Sequence, residues 1–276
     1  MKVAAIGVLP ALLLGLFVMI AHGAPPALPA TNVAAAVLAL LVVLVAGKRL
    51  ATLVADRPIV VAAAVLSLEA CTLLDAGIDG VHRWVSLGGV RLHPAAIGDP
   101  LLLLSAVVLW LRRRCWAATS CVAAGLALHV LQPDAGQATA LATGALALAL
   151  VPAATLAERL ALLAAVAAGS VLAWSRPDPL LPVDMVETIV QRAFELHVGV
   201  GALAVTALAS LPASALVPAV RGTTVADPRR AASVALAAYF SASIVVAVFG
   251  EFPTPVLGFG ASPILGAALG LGVLAA

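Results

Sequence analysis

Long apolar runs separated by short polar intervals make up nearly the whole chain. A bilayer core is crossed by a helix of about 20 mostly apolar residues, with roughly 17 as the lower limit. By that measure ten spans are expected: residues 3–22, 32–47, 58–74, 95–111, 116–131, 138–156, 160–174, 196–220, 231–250 and 256–276. The first run also has features of a signal peptide, with His22, Gly23 and Ala24 before a cleavage point. Pro25 and Pro26 follow at once and Lys2 is the only leading charge, so a retained helix is expected. The expected fold class is all-α, a polytopic membrane protein with one integral membrane domain over residues 1–276.

Composition strengthens this reading. The 276 residues are 63% hydrophobic and 10% charged, where soluble domains carry about 25% charged residues. A net charge of +2 is too small to argue for nucleic acid, and no basic cluster with interleaved aromatics occurs. Cys71, Cys115 and Cys121 lie in or beside apolar runs and form neither a zinc pattern nor a disulfide framework.

Charge placement orients the chain. With the N-terminus inside, inner loops hold Lys2, Lys48, Arg49, Arg57, Arg112, Arg113, Arg114, Arg159, Arg221, Arg229 and Arg230, eleven of the fifteen basic residues. Arg83, Arg91, Arg176 and Arg192 fall outside. The positive-inside rule therefore predicts both termini on the cytoplasmic side of the membrane. His22, His82, His93, His129 and His197 then lie at or near the outer face, as do most carboxylates. No metal-ligand spacing recurs among the histidines, so interfacial hydrogen bonding is the expected role.

The richest polar interval is 79–94, D-G-V-H-R-W-V-S-L-G-G-V-R-L-H-P. Arg83 beside Trp84 joins an anion-binding fork to an aromatic that prefers the membrane interface. Read from its residues, the interval suits an interfacial anchor or an anion site. It also resembles the signature loop of the SEDS family (shape, elongation, division and sporulation; the RodA- and FtsW-like proteins), N-G-A-R-R-W-I-x-L-G followed by Q-P-S-E-x-x-K. Gly80, Arg83, Trp84, Leu87, Gly88 and Pro94 match. His93 replaces the Gln, Ala95 and Ala96 replace Ser-Glu, and Asp99 stands at the lysine position.

Three further intervals resemble the same family in the expected order. Gln132, Pro133, Asp134 and Gly136 resemble Q-P-D-x-G-T; a helix-capping turn is the plain structural alternative. From Leu181, the chain resembles L-P-E-x-x-T-D-F-I-F-A-x-x-G-E-E-x-G, with Pro182, Ile189 and Glu195 kept and Glu187 at the aspartate position. Pro253, Pro255, Gly260 and Ser262 resemble P-L-P-F-V-S-Y-G-G-S-S. The chain thus looks like a divergent, compact SEDS member.

That resemblance implies a ten-helix bundle that polymerises lipid II, an undecaprenyl-linked disaccharide, on the outer face of the membrane during cell division or cell-shape maintenance. It also implies a class B penicillin-binding protein as partner. Glu187 takes the place of the family's catalytic carboxylate. Arg83, Trp84, Asp134, Arg192, Glu195 and Ser262 become candidate substrate-binding residues. Glycosyl transfer needs a base for the attacking hydroxyl and a cation, arginine or a divalent metal, for the diphosphate leaving group. The rival readings are a catalytically degenerate scaffold or lipid-binding protein, and a transporter that uses Glu69 and Asp99 inside the membrane.

Glu69 and Asp99 raise a question of depth. Glu69 lies six residues before Asp75 and Asp99 five after Pro94, so both sit within roughly 9 Å of one membrane surface. Two unpaired anions there are costly, at about 3 kcal/mol each. Protonation, an arginine or a bound cation would relieve them; Arg83 or Arg91, tethered nearby, is the expected partner.

Overall fold

Twelve α-helices and one short hairpin form the regular structure of the residues described by the computed structural model, 2–88, 90–221, 227–249 and 252–276. Most of the expected basic interval after Arg221, together with Gly89 and Glu251, lies outside the described residues. Six segments are long and apolar enough to cross a membrane: Lys2–Ala21, Ala27–Asp56, Pro94–Leu111, Leu156–Ser175, Val198–Val220 and Pro228–Val248. Four shorter apolar helices, Pro58–Leu74, Cys115–Leu131, Ala135–Ala149 and Ala261–Leu274, complete the ten expected segments. This is a multi-pass membrane protein.

In chain order the helices are α1 (Lys2–Ala21), α2 (Ala27–Asp56), α3 (Pro58–Ala70, continued by a 3-10 turn, Cys71–Leu74), α4 (Pro94–Leu111), α5 (Cys115–Leu131) and α6 (Ala135–Ala149). They continue with α7 (Leu156–Ser175), α8 (Ile189–Leu196), α9 (Val198–Leu208), α10 (Ser210–Leu216), α11 (Pro228–Phe249) and α12 (Ala261–Leu274). Local chemistry sets many of the ends. Pro58 and Pro94 open α3 and α4, where a missing N–H has no intrahelical partner to lose. Thr155 and Glu158 cap α7 reciprocally: the Glu158 amide donates to Thr155 Oγ1 at 3.3 Å and the Thr155 amide to Glu158 Oε2 at 2.9 Å.

The structure moves several expected boundaries. Helix α2 continues past the apolar run through Lys48 and Arg49 to Asp56, because long basic side chains reach water while their stems stay on the helix. Helix α6 stops at Ala149, shortly before Pro152. The eighth span is divided at Ala209, where Pro212 supplies no N–H to Leu208. The expectation of an all-α chain also needs a small correction. Strands β1 (Val85–Leu87) and β2 (Val90–Leu92) pair antiparallel, Val85 opposite Leu92 and Ser86 opposite Arg91. Gly88 turns between them at φ +56°, a conformation that suits glycine.

Helix α4 is the axis of the bundle. It packs against α2, α3, α5, α6, α11 and α12, and Leu102, Leu103, Leu109 and Trp110 are fully buried. Helices α2 and α7 turn exposed leucine and valine faces outward, among them Leu38, Leu41, Val45 and Val171, as a lipid-facing surface requires. Small residues bring the backbones together. A Cβ at Gly266 would stand 1.9 Å from the Ala96 carbonyl oxygen, and one at Gly270 2.7 Å from Pro100 Cβ. The Gly266–Gly270 pair therefore packs α12 on α4 within the chain.

Candidate active site

The four polar intervals that stand apart in the sequence meet at one end of the bundle and are bonded to one another. The His93 amide donates to Ser262 Oγ at 2.8 Å, joining the first interval to the last. His93 Nε2–H donates to Asp134 Oδ2 at 2.8 Å, joining the first to the second. Arg83 donates through Nε to the Pro133 carbonyl at 2.9 Å and through a terminal nitrogen to Asp178, three residues before the third. The Phe259 amide donates to the Met185 carbonyl at 2.7 Å, and the Thr254 amide to that of Val186 at 3.2 Å, zipping the third interval to the fourth. Buried Asn32 of α2 clamps this last loop, donating to Gly258 O and accepting from the Gly260 amide, each at 3.0 Å.

The hairpin is fixed to the end of α3 in the same way. Asp75 accepts from the Ser86 amide at 2.9 Å and from the Gly77 amide at 3.4 Å. These bonds favour the ionised form and lower its pKa. The interval is thus an ordered platform rather than a simple connector.

A cavity of about 110 Å³ opens between these loops. Arg83, Trp84, His93, Asp134 and Glu187 line its polar side; Leu180, Leu181, Val183, Phe252, Phe240 and Val246 are among its apolar walls. Its size suits the reacting end of a molecule rather than the whole of one. Arg83 is buried, its guanidinium 5.8 Å from the centre of the Phe252 ring and its Nε 3.9 Å from Asp134 Oδ2. Burial would raise the pKa of Asp134, but Arg83 and the hydrogen-bonded His93 outweigh it and hold the carboxyl well below the usual range. Its other oxygen caps α6 by accepting from the Gln137 amide at 3.1 Å. Glu187 is half-buried, its Oε2 accepting from the Val183 amide at 2.8 Å.

The helical arrangement matches that of solved structures. No protein-family model matches the chain, and no curated protein matches it by sequence. Rod shape determining protein RodA of Thermus thermophilus superposes with a TM-score of 0.71, and an aspartate-to-alanine variant of it with 0.75. Each is 20% identical and covers 98% of this chain and 94% of that one. A chain from a structure of a peptidoglycan synthase complex that coordinates polymerization and crosslinking gives 0.70, at 19% identity, covering 98% and 95%. The chain has the RodA fold.

Within that fold the expected site residues divide into two groups. Glu187, Arg83, Trp84 and Asp134 come together around the cavity. Arg192 and Glu195 do not line it: on the exposed face of α8 Arg192 pairs with Asp184 and Glu195, each at 2.9 Å. That pairing lowers the pKa of Asp184, chiefly through the Arg192 hydrogen bond. Ser262 lies behind the lining and positions His93. Sequence reasoning passed over His93 and Asp178 as site residues. His93 carries a signal, standing where the resemblance has a polar Gln; Asp178 carries none.

A divalent ion for a diphosphate fits this cavity poorly. Asp134 is already engaged by His93, Arg83 and the Gln137 amide. Among the described residues, the group of three side chains able to surround an ion lies elsewhere, at Glu69, Asp99 and His129. That trio also corrects two expectations. Arg83 turns to Asp134 and Asp178, and Arg91 is exposed on the hairpin, so neither reaches Glu69 or Asp99. His129 is not interfacial but fully buried, its Nε2 3.1 Å from Asp99 Oδ2.

Proposed function

We propose that this protein is a glycosyltransferase of cell-wall synthesis that extends glycan strands from an undecaprenyl-diphosphate-linked disaccharide such as lipid II. The observation that carries the proposal is the cavity itself. A carboxylate, Glu187, and a guanidinium, Arg83, stand on one polar side, and Leu180, Leu181, Val183, Phe240, Val246 and Phe252 give it an apolar wall. An amphiphile with an anionic head and a polyprenyl tail matches that division. The RodA fold and the neighbouring peptidoglycan synthase complex support the same reading, and with it a penicillin-binding protein as partner.

In the reaction, the Glu187 carboxylate takes the proton of the attacking sugar hydroxyl. The hydroxyl oxygen bonds to the anomeric carbon of the donor as the bond from that carbon to the diphosphate oxygen breaks. Arg83, the guanidinium in the cavity lining, would offset the departing charge, and its face lies over the Phe252 ring. No protein-held metal enters the scheme.

One observation favours a second reading, a lipid-binding scaffold without catalysis. The charge of Arg83 is already balanced by Asp134 and Asp178. Incubating the detergent-solubilised protein with lipid II separates the two. Polymer formation is expected, lost by at least ~100-fold in Glu187→Gln with normal expression, and retained in Glu187→Asp. Full activity of Glu187→Gln would remove the assignment of the base. Saturable binding of undecaprenyl diphosphate without any polymer would support the scaffold.

A further inference from the structure

The cavity accounts for the polar residues at the loop end of the bundle but not for Glu69, Asp99 and His129. These three come from α3, α4 and α5, are completely buried, and line none of the cavity. One ligand atom from each lies within 4.8 Å of the other two. Neither oxygen of Glu69 nor Asp99 Oδ1 makes a well-formed hydrogen bond, and Asp99 Oδ2 and His129 Nε2 have only their mutual 3.1 Å contact, which lacks hydrogen-bond geometry.

Gln132 decides which way the imidazole faces. Its amide nitrogen donates to the Glu69 carbonyl at 2.9 Å and to Thr72 Oγ1 at 2.8 Å, which uses both amide hydrogens. The reversed amide would set Oε1 against the Glu69 carbonyl oxygen. Oε1 therefore faces His129 Nδ1, at 3.3 Å, and accepts its proton. In the neutral ring the Nε2 lone pair is left pointing at the two carboxylates. An imidazole whose second nitrogen is held by an amide or carbonyl oxygen is the usual arrangement of a metal-bound histidine.

We propose that Glu69, Asp99 and His129 bind a divalent transition-metal ion of the zinc class. Two carboxylates, a neutral imidazole and a divalent ion sum to zero charge, the condition a dry helical interior favours. One nitrogen and two carboxylate donors suit zinc or manganese better than calcium or magnesium, which take six or more oxygens or retain several waters. Two ligands on one zinc ion, each about 2.0–2.2 Å from it, stand at most about 4.4 Å apart, so small side-chain movements close the three onto an ion. Glycine lets the two helices come this close. At Gly98, where α3 crosses α4, an added Cβ would stand 3.5 Å from Glu69 Oε1 and 2.6 Å from Val65 Cγ1. The ion would pin α3, α4 and α5 together just inside the cavity floor, since Ala96 lines the cavity and Asp99 lies one turn further along α4.

The test uses tag-free full-length protein purified in detergent without chelator and requires no activity measurement, so its result is separate from that of glycosyl transfer. Elemental analysis is expected to find roughly one zinc or manganese ion per chain, and a chelator to lower the thermal midpoint. After chelation, added Co²⁺ is expected to give the visible absorption of a tetrahedral or five-coordinate site with nitrogen and oxygen ligands. Asp99→Asn and His129→Gln should each lower metal content at least ~10-fold. Should either variant fail to fold, the metal content and cobalt spectrum of the unaltered chain decide alone. Unaltered protein that contains no metal, gives no cobalt spectrum and melts independently of chelator would overturn the proposal and leave a shared proton among the three groups.

Discussion

Asp134 shows how much one residue carries at this site. It caps α6, accepts from His93 and faces Arg83, all while buried. Removing its charge leaves a buried guanidinium with fewer partners, a change that costs about 3–5 kcal/mol. Asp134→Asn is therefore expected to lower the thermal midpoint in detergent sharply at neutral pH. The pH dependence follows from the lowered pKa. The folded state keeps this carboxylate ionised below the range where the unfolded chain, with a value of about 3.9, takes up a proton. Its contribution is complete above about pH 5 and is lost as pH falls through and below 4 toward the folded value. Asp134→Asn should lose that acid sensitivity; an unchanged acid limb would place the sensitivity elsewhere. At this scale the sequence was only partly legible. Arg83, Trp84, Asp134 and Glu187 stand out as polar residues at motif positions. The pairings of Asp178 with Arg83 and of Gln132 with Glu69 do not, because the partners lie 95 and 63 residues apart along the chain and only folding brings them together.

At the scale of the element, the apolar runs were readable because a span in lipid must satisfy its own backbone, which leaves the helix as its usual solution. Where lipid stops dictating, boundaries were less legible: α2 outruns its apolar core, and the eighth span divides before a single proline. The packing glycines lie between these cases. Gly266 and Gly270 are visible as a pair, but which helix they meet is not. Since a Cβ at Gly266 would stand 1.9 Å from the Ala96 carbonyl, Gly266→Ala must push α12 from α4 and is expected to cost about 1–3 kcal/mol. Gly47, whose added Cβ would meet only Val43 of its own helix at 3.5 Å, serves as the control. Gly47→Ala should be neutral or stabilising by up to about 1 kcal/mol. Thermal unfolding of the two variants measures the difference; equal midpoints would mean that α12 and α4 do not pack this closely.

For the whole molecule the remaining matter is which way round it sits. Helix α4 runs from Pro94, beside the cavity, to Leu111, just before Arg112, Arg113 and Arg114. Eighteen residues at about 1.5 Å each separate the two ends by roughly 27 Å, close to the thickness of a bilayer core. The cavity and the arginine cluster therefore belong to opposite membrane surfaces. At the basic end Arg113 donates to the Ala153 carbonyl at 2.9 Å and Arg159 to that of Val151 at 3.4 Å, gathering positive charge on one face. By the positive-inside rule that face is expected to be cytoplasmic and the cavity external, where the proposed polymerisation of a lipid-linked sugar would take place. Cysteine labelling tests this. Ser86 is exposed on the hairpin and Arg114 at the opposite end, and each can be replaced in a background whose three native cysteines are serine. In intact cells a membrane-impermeant maleimide should label Ser86→Cys. Arg114→Cys should react only after the membrane is opened, and a reporter fused after Ala276 should read cytoplasmic. Labelling of Arg114→Cys in intact cells, with Ser86→Cys protected, would turn the molecule over. It would also remove the proposed reaction, since the Glu187 cavity would then face the cytoplasm.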